Sequence, residues 1–402
     1  MSGTKEYLKK FFDLQRLRWH NYADDAGHEV LALEAEIYKL LEHPAPVSGD
    51  KRQALLWNLV RRRELIEMHP RVGELRNWFD SAADERDLPK AKANALELLH
   101  LRDTLSRAAG ASSYAELALE SQELSLPVVE GILSDYLLKH AFECKGLANK
   151  YGIRWPTWHD DLRRIGGDYF PERLDSIMEK LLSRLGLSGV RGNIRVFVKQ
   201  ASGVSGYTGV LHVPDDIRIV VRPASSLDRV RTFFHETGHA LYHACNRESG
   251  ILTTWDAATD EGMAVLMEHV AATLVMDEKQ RSYFKDIALL ESMRCAASFM
   301  FEIALCRNPD AAEELYSATY GRLGITVDKP QRWPLDTFRT VDPMTIHCYV
   351  LGELFARHTV QFMARTLGED YLRWGSWLEK TMYAPGRGLS FAQRAALVGW
   401  KF

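Results

Sequence analysis

His235 and His239 stand four positions apart in the run His235-Glu236-Thr237-Gly238-His239-Ala240-Leu241-Tyr242-His243-Ala244. On a helix that spacing sets both imidazoles on one face, one turn apart. Two neutral imidazoles so placed can give two nitrogens to one zinc ion, and Glu236 beside the first can take a proton from a water activated there. The surroundings fit such a helix. Strand-like Asp216-Ile217-Arg218-Ile219-Val220-Val221-Arg222 precedes it, Ser226 is placed as an N-cap, and Arg229 to Phe234 lead into the motif. One zinc ion per chain is the expectation.

A catalytic zinc usually has three protein ligands and one open position. The metzincin completion, a histidine six residues after the second with a glycine three after it, fails, because those places hold Cys245 and Tyr242. His243 lies one turn further along the same helix and cannot easily curl back to the same ion, so it reads as an outer partner or as packing. The better third ligand lies in the acidic segment from Asp256 to His269. Glu261 comes 22 positions after His239, room for a loop and a return helix, and Gly262 would let that helix approach closely. Asp260, Glu268 and His269 are competitors. Asp260 points about 100° away from Glu261, which suits an outer-shell partner of a ligand histidine.

Other elements must hold these groups, and composition says of what kind. With 402 residues the chain can bury a sizeable core as one large unit or two lobes. A hydrophobic content of 46% with 26% charged residues is that of a soluble globular protein. The formal net charge of -3 offers no handle to nucleic acid or an anionic membrane, and neither is expected as a partner. Cys144, Cys245, Cys295, Cys306 and Cys348 are scattered, odd in number and without a C-x-x-C pair, which reads as reduced thiols of a cytoplasmic protein. The N-terminus turns charged at Lys5-Glu6 without an apolar signal region, and no stretch approaches 18 uninterrupted apolar residues.

Apolar residues recur at helical spacing from Tyr7 to Leu41, before His43-Pro44. A second helix is signalled by Ser48-Gly49-Asp50, runs through Leu55, Leu59 and Leu65, and stops before Pro70. Further helices are expected around 72–82, 90–108, 112–122 and 127–150, the last with Pro127 just inside its start and Gly152 past its end. Their apolar stripes read as core packing, and Arg61-Arg62-Arg63 as a solvated face. A polar stretch at about 153–170 marks a boundary within one unit, between a helical lobe of about 1–165 and a zinc-binding lobe of about 166–402. A helix at 171–186 follows it. Strand character then appears at Ile194–Lys199, Tyr207–Val213 and Ile217–Val221, with Pro214-Asp215-Asp216 as the turn between the last two. A small antiparallel sheet is thus expected just before the zinc helix. Helices resume at about 256–277, 279–306, 310–322, 343–367, 369–382 and 390–399, so the fold class is mostly α.

The run from His235 to Leu241, followed by Asp260-Glu261-Gly262-Met263-Ala264, resembles the gluzincin peptidases of the neurolysin-like fold. These comprise thimet oligopeptidase and neurolysin, oligoendopeptidase F, angiotensin-converting enzyme and carboxypeptidase Taq. Tyr349-Val350-Leu351-Gly352-Glu353-Leu354-Phe355 is similar to a stretch of carboxypeptidase Taq relatives, and Asp216-Ile217-Arg218-Ile219 is similar to angiotensin-converting enzyme in its distance to the zinc helix. The resemblance covers about 205–400; the N-terminal half matches only in being helical. It implies a two-lobed helical zincin with a deep cleft and a glutamate ligand on the second helix, at Glu261. It places Ser205, Gly206 and Tyr207 on the edge strand that receives substrate backbone. It also implies a tyrosine or histidine facing the zinc from the helix of the Tyr349 stretch. The chain is shorter than such relatives usually are, which predicts that some helices of the cleft wall are missing.

Amide hydrolysis passes through an oxyanion that needs a placed donor. Tyr349 and His347 are the candidates. Asp342-Pro343 reads as an N-cap followed by the first helical residue, which puts both in the first two turns of that helix. Residues two apart do not share a face, so one of them points at the metal, and the family stretch favours Tyr349. Arg387, in Ala384-Pro385-Gly386-Arg387-Gly388, can clamp a substrate carboxylate. The reading is a zinc-dependent peptidase of small peptides with Glu236 as general base. Two alternatives stand beside it. One is a zinc hydrolase dedicated to a single amide, such as a maturation peptidase in a biosynthetic pathway. The other is a non-catalytic peptide-binding protein of the same fold, which would have no need of Glu236.

Overall fold

The computed structural model describes residues 2–24, 26, 30–42, 50–81, 85–155, 157–167, 173–200, 205–223 and 226–402. Among these described residues nine helices come first: Ser2–Asp24 (α1), Leu31–Glu42 (α2), Lys51–Glu67 (α3), Pro70–Ser81 (α4), Leu88–Ala108 (α5), Tyr114–Glu120 (α6), Leu126–Tyr151 (α7), Trp158–Arg163 (α8) and Leu174–Leu185 (α9). Three strands follow, Ile194–Val198 (β1), Gly206–His212 (β2) and Asp216–Val221 (β3). The rest is helical again: Leu227–Ala244 (α10), Ala257–Val275 (α11), Glu278–Arg307 (α12), Ala312–Gly321 (α13), Thr337–Thr340 (α14), His347–Leu367 (α15), Tyr371–Trp377 (α16) and Phe391–Leu397 (α17).

The helical spacing from Tyr7 to Leu41 belongs to two helices rather than one. The first ends at Asp24, whose carboxylate sits 2.7 Å from His20 Nδ1 and accepts from Lys199 Nζ at 2.6 Å. Asp50 caps α3 through the backbone N–H groups of Arg52 and Gln53. His43-Pro44, Ser48-Gly49, residues 168–170 of the expected boundary and residues 171–172 of the expected helix lie outside the described residues. Pro127 falls in the first turn of α7, and Gly152 ends that helix at φ 65° in the left-handed region. Among the described residues no helix is long and apolar enough to cross a membrane. All five cysteines are free, and four of them are buried.

The sheet is mixed, a correction to the antiparallel expectation. Its order is β1-β3-β2, with β3 antiparallel to β2 and parallel to β1. Hydrophobicity explains the order. Ile217, Ile219, Val220 and Val221 are all buried, so β3 is apolar toward both faces and takes the centre. Its odd residues face α10, while Val220 packs with Leu211, Trp19 and Ala23 against α1. Among the described residues no strand pairs with the outer edge of β2.

Helix α11 lies between α10 and α15. It runs antiparallel to α10, as the pairs His235–Glu268 and His243–Asp260 show, and parallel to α15, as Glu261–Tyr349 and His269–Glu353 show. The close approach of α10 and α11 depends on Gly238, not on Gly262 as expected. A Cβ on Gly238 would lie 2.6 Å from Ala264 Cα and 2.7 Å from the Met263 carbonyl oxygen, whereas Gly262 faces the Phe391 ring.

Helix α15 begins at His347, four residues later than the Asp342-Pro343 signal predicts. The delay has a local cause. Met344 sits at φ 57°, which no helix allows, and its N–H donates to the buried Glu302 carboxylate at 2.8 Å. Gln122 Nε2 donates to the Met344 carbonyl at 3.2 Å, pinning the same residue from α6's side. His347 and Tyr349 nevertheless both fall in the first turn of α15.

Candidate metal centre

Ser226 caps α10 by accepting the Arg229 N–H, and Asp256 caps α11 by accepting the Thr259 N–H. From these fixed starts, His235, His239 and Glu261 converge. Their nearest ligand atoms lie within 4.8 Å of one another. His235 Nε2 and His239 Nε2 are 3.2 Å apart, and Glu261 Oε2 is 3.1 Å from the first and 3.8 Å from the second. Three ligands at zinc bond lengths of about 2.0–2.1 Å in tetrahedral array stand about 3.3 Å from each other. Glu261 Oε2 is also buried without a hydrogen-bond partner. A donor set of two imidazoles and one carboxylate at this spacing, with an orphaned oxygen at its centre, fits zinc.

Each of the two histidines is approached from behind by a carboxylate. His235 Nδ1 is 2.7 Å from Glu268 Oε1, and Arg231 donates to the other oxygen of Glu268 at 2.9 Å. His239 Nδ1 is 3.1 Å from Asp260 Oδ1, an oxygen that also meets His243 Nε2 at 3.0 Å. The Glu268 contact favours the Nδ1–H tautomer of His235 and leaves its Nε2 for a metal; the His239–Asp260 approach is an ion-pair distance without hydrogen-bond geometry. Asp260 therefore stands where an outer partner of a ligand stands, and His243 is buried behind it against the Trp255 ring. Burial opposes charge on His239, but Asp260 and Glu261 outweigh it and raise the imidazole to about 9. A metal must displace that proton, so metal uptake weakens as pH falls.

Glu236 is buried next to His235 in the chain, and Thr208 Oγ1 of β2 donates to its Oε2 at 2.7 Å. Burial raises its carboxyl above the ordinary range, against the pull of His239 and His235. Gly206 is pressed onto the same side chain: a Cβ there would come within 2.9 Å of Glu236 Cγ. Ser205 ends the strand's approach, its carbonyl accepting from the Arg222 N–H at 3.3 Å. Tyr207 points to the opposite face, its ring 4.8 Å from Tyr22 and 6.3 Å from Trp19 of α1.

Tyr349 reaches the centre. Its hydroxyl donates to Glu261 Oε1 at 3.1 Å and its ring stacks on His235 at 5.9 Å. The structure does not bring His347 there. Two residues apart on a helix is about 200°, and His347 faces the Phe299 ring, fully buried, with burial and then Arg63 lowering its imidazole to about 3. Arg387 is not on an open loop either. It is buried and donates from Nη2 to the Ser121 carbonyl at 2.7 Å.

No family model matches the chain, and no curated protein matches it. Solved structures do. Metallocarboxypeptidase 1 of Trypanosoma cruzi matches with a TM-score of 0.68 at 12% identity, over 99% of this chain and 96% of that one. A Pyrococcus furiosus carboxypeptidase matches with 0.65 at 12%, over 99% and 94%. PZ peptidase A matches with 0.68 at 14%, over 92% and 80%. The chain shares the mostly helical fold of these structures. At these identities the likeness is one of fold, and it extends through the N-terminal helices, beyond the 205–400 span of the motif resemblance. Against the two carboxypeptidases little of the fold is missing; against PZ peptidase A about a fifth of that chain has no counterpart.

Thr208 is a site neighbour that the motif reading passes over, and Glu268, read there as a competing ligand, stands instead behind His235. Both had a signal. Thr208 shares a strand face with Gly206, and Glu268 is seven residues from Glu261, two turns along the same face. Substitution separates ligand from support. Glu261→Gln is expected to strip the metal under dialysis against a weak chelator, while Asp260→Asn weakens binding by about 10–100-fold. Elemental analysis of both variants reads this, and a metal-free Asp260→Asn beside a loaded Glu261→Gln reverses the assignment.

Proposed function

We propose that the protein is a zinc-dependent peptidase, binding one zinc ion per chain at His235, His239 and Glu261. The observation that carries this reading is the placement of Glu236. A buried carboxylate stands next to a His-His-Glu cluster, hydrogen-bonded to a strand with a free edge. A bound zinc supplies Lewis acidity at its open position. Glu268 and Asp260 keep the two imidazoles turned toward that position. The substrate backbone pairs along the free edge of β2 from Ser205 to Tyr207, in a cleft between a helical lobe of about 1–165 and a catalytic lobe of about 166–402. Glu236 takes a proton from the attacking water and returns it to the leaving amine. The Tyr349 hydroxyl swings from Glu261 to the developing oxyanion. A non-catalytic peptide binder has no use for the buried Glu236, and the position of that carboxylate is what sets the hydrolase ahead of it.

Incubating the zinc-loaded protein with a mixed peptide library and reading products by mass spectrometry tests the proposal. Cleavage should stop on removal of the metal with a chelator and return when zinc is restored. A fully loaded protein that yields no peptide products rules out a general peptidase and moves the single-amide hydrolase to the front.

A further inference from the structure

Helix α7 buries one side and leaves the other open. Val129, Leu133, Tyr136, Cys144 and Ala148 are buried, as core packing requires. Leu138 and Phe142 depart from that pattern. They are 77% and 93% exposed, the two most exposed large apolar side chains among the described residues. Four positions apart, they lie one above the other on a single face of the helix. Gly131 and Gly146 stand on the same side, and a Cβ on either would meet nothing within 4 Å. Packing within the chain therefore gives no reason for glycine at these positions, and glycine weakens a helix interior relative to alanine. Close approach by a backbone from outside the chain does give one.

The charges on α7 say which surface approaches. Most of them are paired within the chain: Glu130 with Arg307 at 2.8 Å, Glu143 with His140 at 3.4 Å, and Lys150 with Asp286 at 2.8 Å. Among the described residues Asp135 and Lys145 make no ion pair, and both are exposed. Round the helix axis they lie about 60° and about 20° from Leu138, on the apolar side, while Lys139 sits at its rim about 100° away. Asp135 and Lys145 carry opposite signs and stand at equal distances along the helix from the midpoint of the Leu138–Phe142 pair. A second α7 laid parallel to the first would set each of these charges against its own kind. Laid antiparallel, with Leu138 against Phe142 of the second copy, it brings Asp135 level with Lys145 of that copy and Gly131 level with its Asn149. All three pairs are centred on the level of residue 140, so one twofold axis makes each contact twice.

We infer that this face of α7 is the interface of a symmetric dimer, in which the α7 helices of two copies of this chain pack antiparallel about the Leu138–Phe142 pair. The inference is independent of the peptidase reading. The face from Val128 to Asn149 is about 31 Å long and one helix wide. That is at the small end of specific interfaces, which places the association in the micromolar range. A membrane or an unrelated protein would cover the apolar pair equally well. Neither gives a reason for an unpaired acid and an unpaired base to flank that pair symmetrically.

Sedimentation velocity of the full chain, from about 1 to about 200 µM, tests the interface. The parent should pass from monomer to dimer over that range. Phe142→Ser should weaken association by about 100-fold or more, because each dimer loses two buried rings. Phe142 makes almost no contact within its own chain, so the Tm should stay at the parent value. The register is tested by charge. Asp135→Lys and Lys145→Glu should each weaken self-association by about 10-fold, since either places like charges opposite each other twice. An equimolar mixture of the two variants should associate again at close to the parent affinity, as a heterodimer in which every opposing pair is of opposite sign. A parent that stays monomeric throughout overturns the inference and leaves the apolar pair to some other partner. A dimer that survives Phe142→Ser places the interface elsewhere. A mixture that associates no better than either variant alone overturns the antiparallel register.

Discussion

Glu236→Gln is expected to fold, to bind metal at full occupancy, and to lose peptide hydrolysis by at least about 10²–10⁴-fold, the usual contribution of a general base. The substitution changes almost no volume, and a glutamine amide oxygen can still accept from Thr208 Oγ1, which sits 2.7 Å from the carboxylate. None of the groups that grip His235, His239 or Glu261 is Glu236, so metal content should not move. The sign of the pH effect on stability follows from the raised carboxyl. A group that binds its proton more tightly when folded gives stability that is complete below its unfolded pKa and lost as pH rises through the folded one. Burial is the first cause of that rise in Glu236. The metal-free parent should therefore lose Tm above the ordinary carboxylate range more steeply than the metal-free variant does. Elemental analysis, thermal melts and turnover on one peptide read all three expectations. Turnover that survives in a fully loaded variant removes Glu236 from the mechanism, and with it the main argument against a non-catalytic binder.

Much of the centre is legible in the sequence because helix geometry alone converts spacing into position. The i, i+4 pair at His235 and His239 needs only a helix to share a face, and Asp260 and Glu261 need only to be adjacent on the next one to point at different targets. The supports are harder to see, since they depend on the register between elements. Glu268 meets His235 because α10 and α11 run antiparallel with Gly238 against Ala264. No local pattern states that register, and Gly262, which the spacing suggests, turns out to face Phe391. The start of α15 fails for a similar reason. Asp342-Pro343 is good local chemistry for a helix start, but Glu302 and Gln122, which are 42 and 222 residues away from Met344 in sequence, hold that residue out of the helix. The parallel pairing of β1 with β3 is likewise set by β3 claiming the buried centre after β1 and β2 are already laid down. Arg63 belongs with these cases. Its charge and its neighbours Arg61 and Arg62 suggest solvent, and its tertiary surroundings supply a cavity instead.

Tyr349→Phe is expected to lower kcat by about 10²–10³, the equivalent of roughly 2.7–4 kcal/mol for one oxyanion donor. Packing should survive, because the ring keeps its stacking on His235 and its edge contact with Phe338. The hydroxyl has two duties to separate, since it donates to Glu261 Oε1 at 3.1 Å as the structure stands. If it serves to brace the ligand carboxylate, its loss weakens metal binding by about 10–100-fold, and excess zinc restores turnover. If it serves the oxyanion, the loss persists at saturating zinc. It then falls on kcat with little change in KM, because the bond strengthens only as charge develops. The proposal predicts the second pattern. His347→Gln is the matched control: that side chain is fully buried against Phe299, so its replacement should lower Tm and leave kcat of the folded fraction near the parent value. A Tyr349→Phe protein that turns over like the parent, beside a folded but crippled His347→Gln, would mean that α15 presents its other side to the substrate during catalysis. Full rescue of Tyr349→Phe by zinc would make the tyrosine a brace and leave the oxyanion to a donor elsewhere in the site.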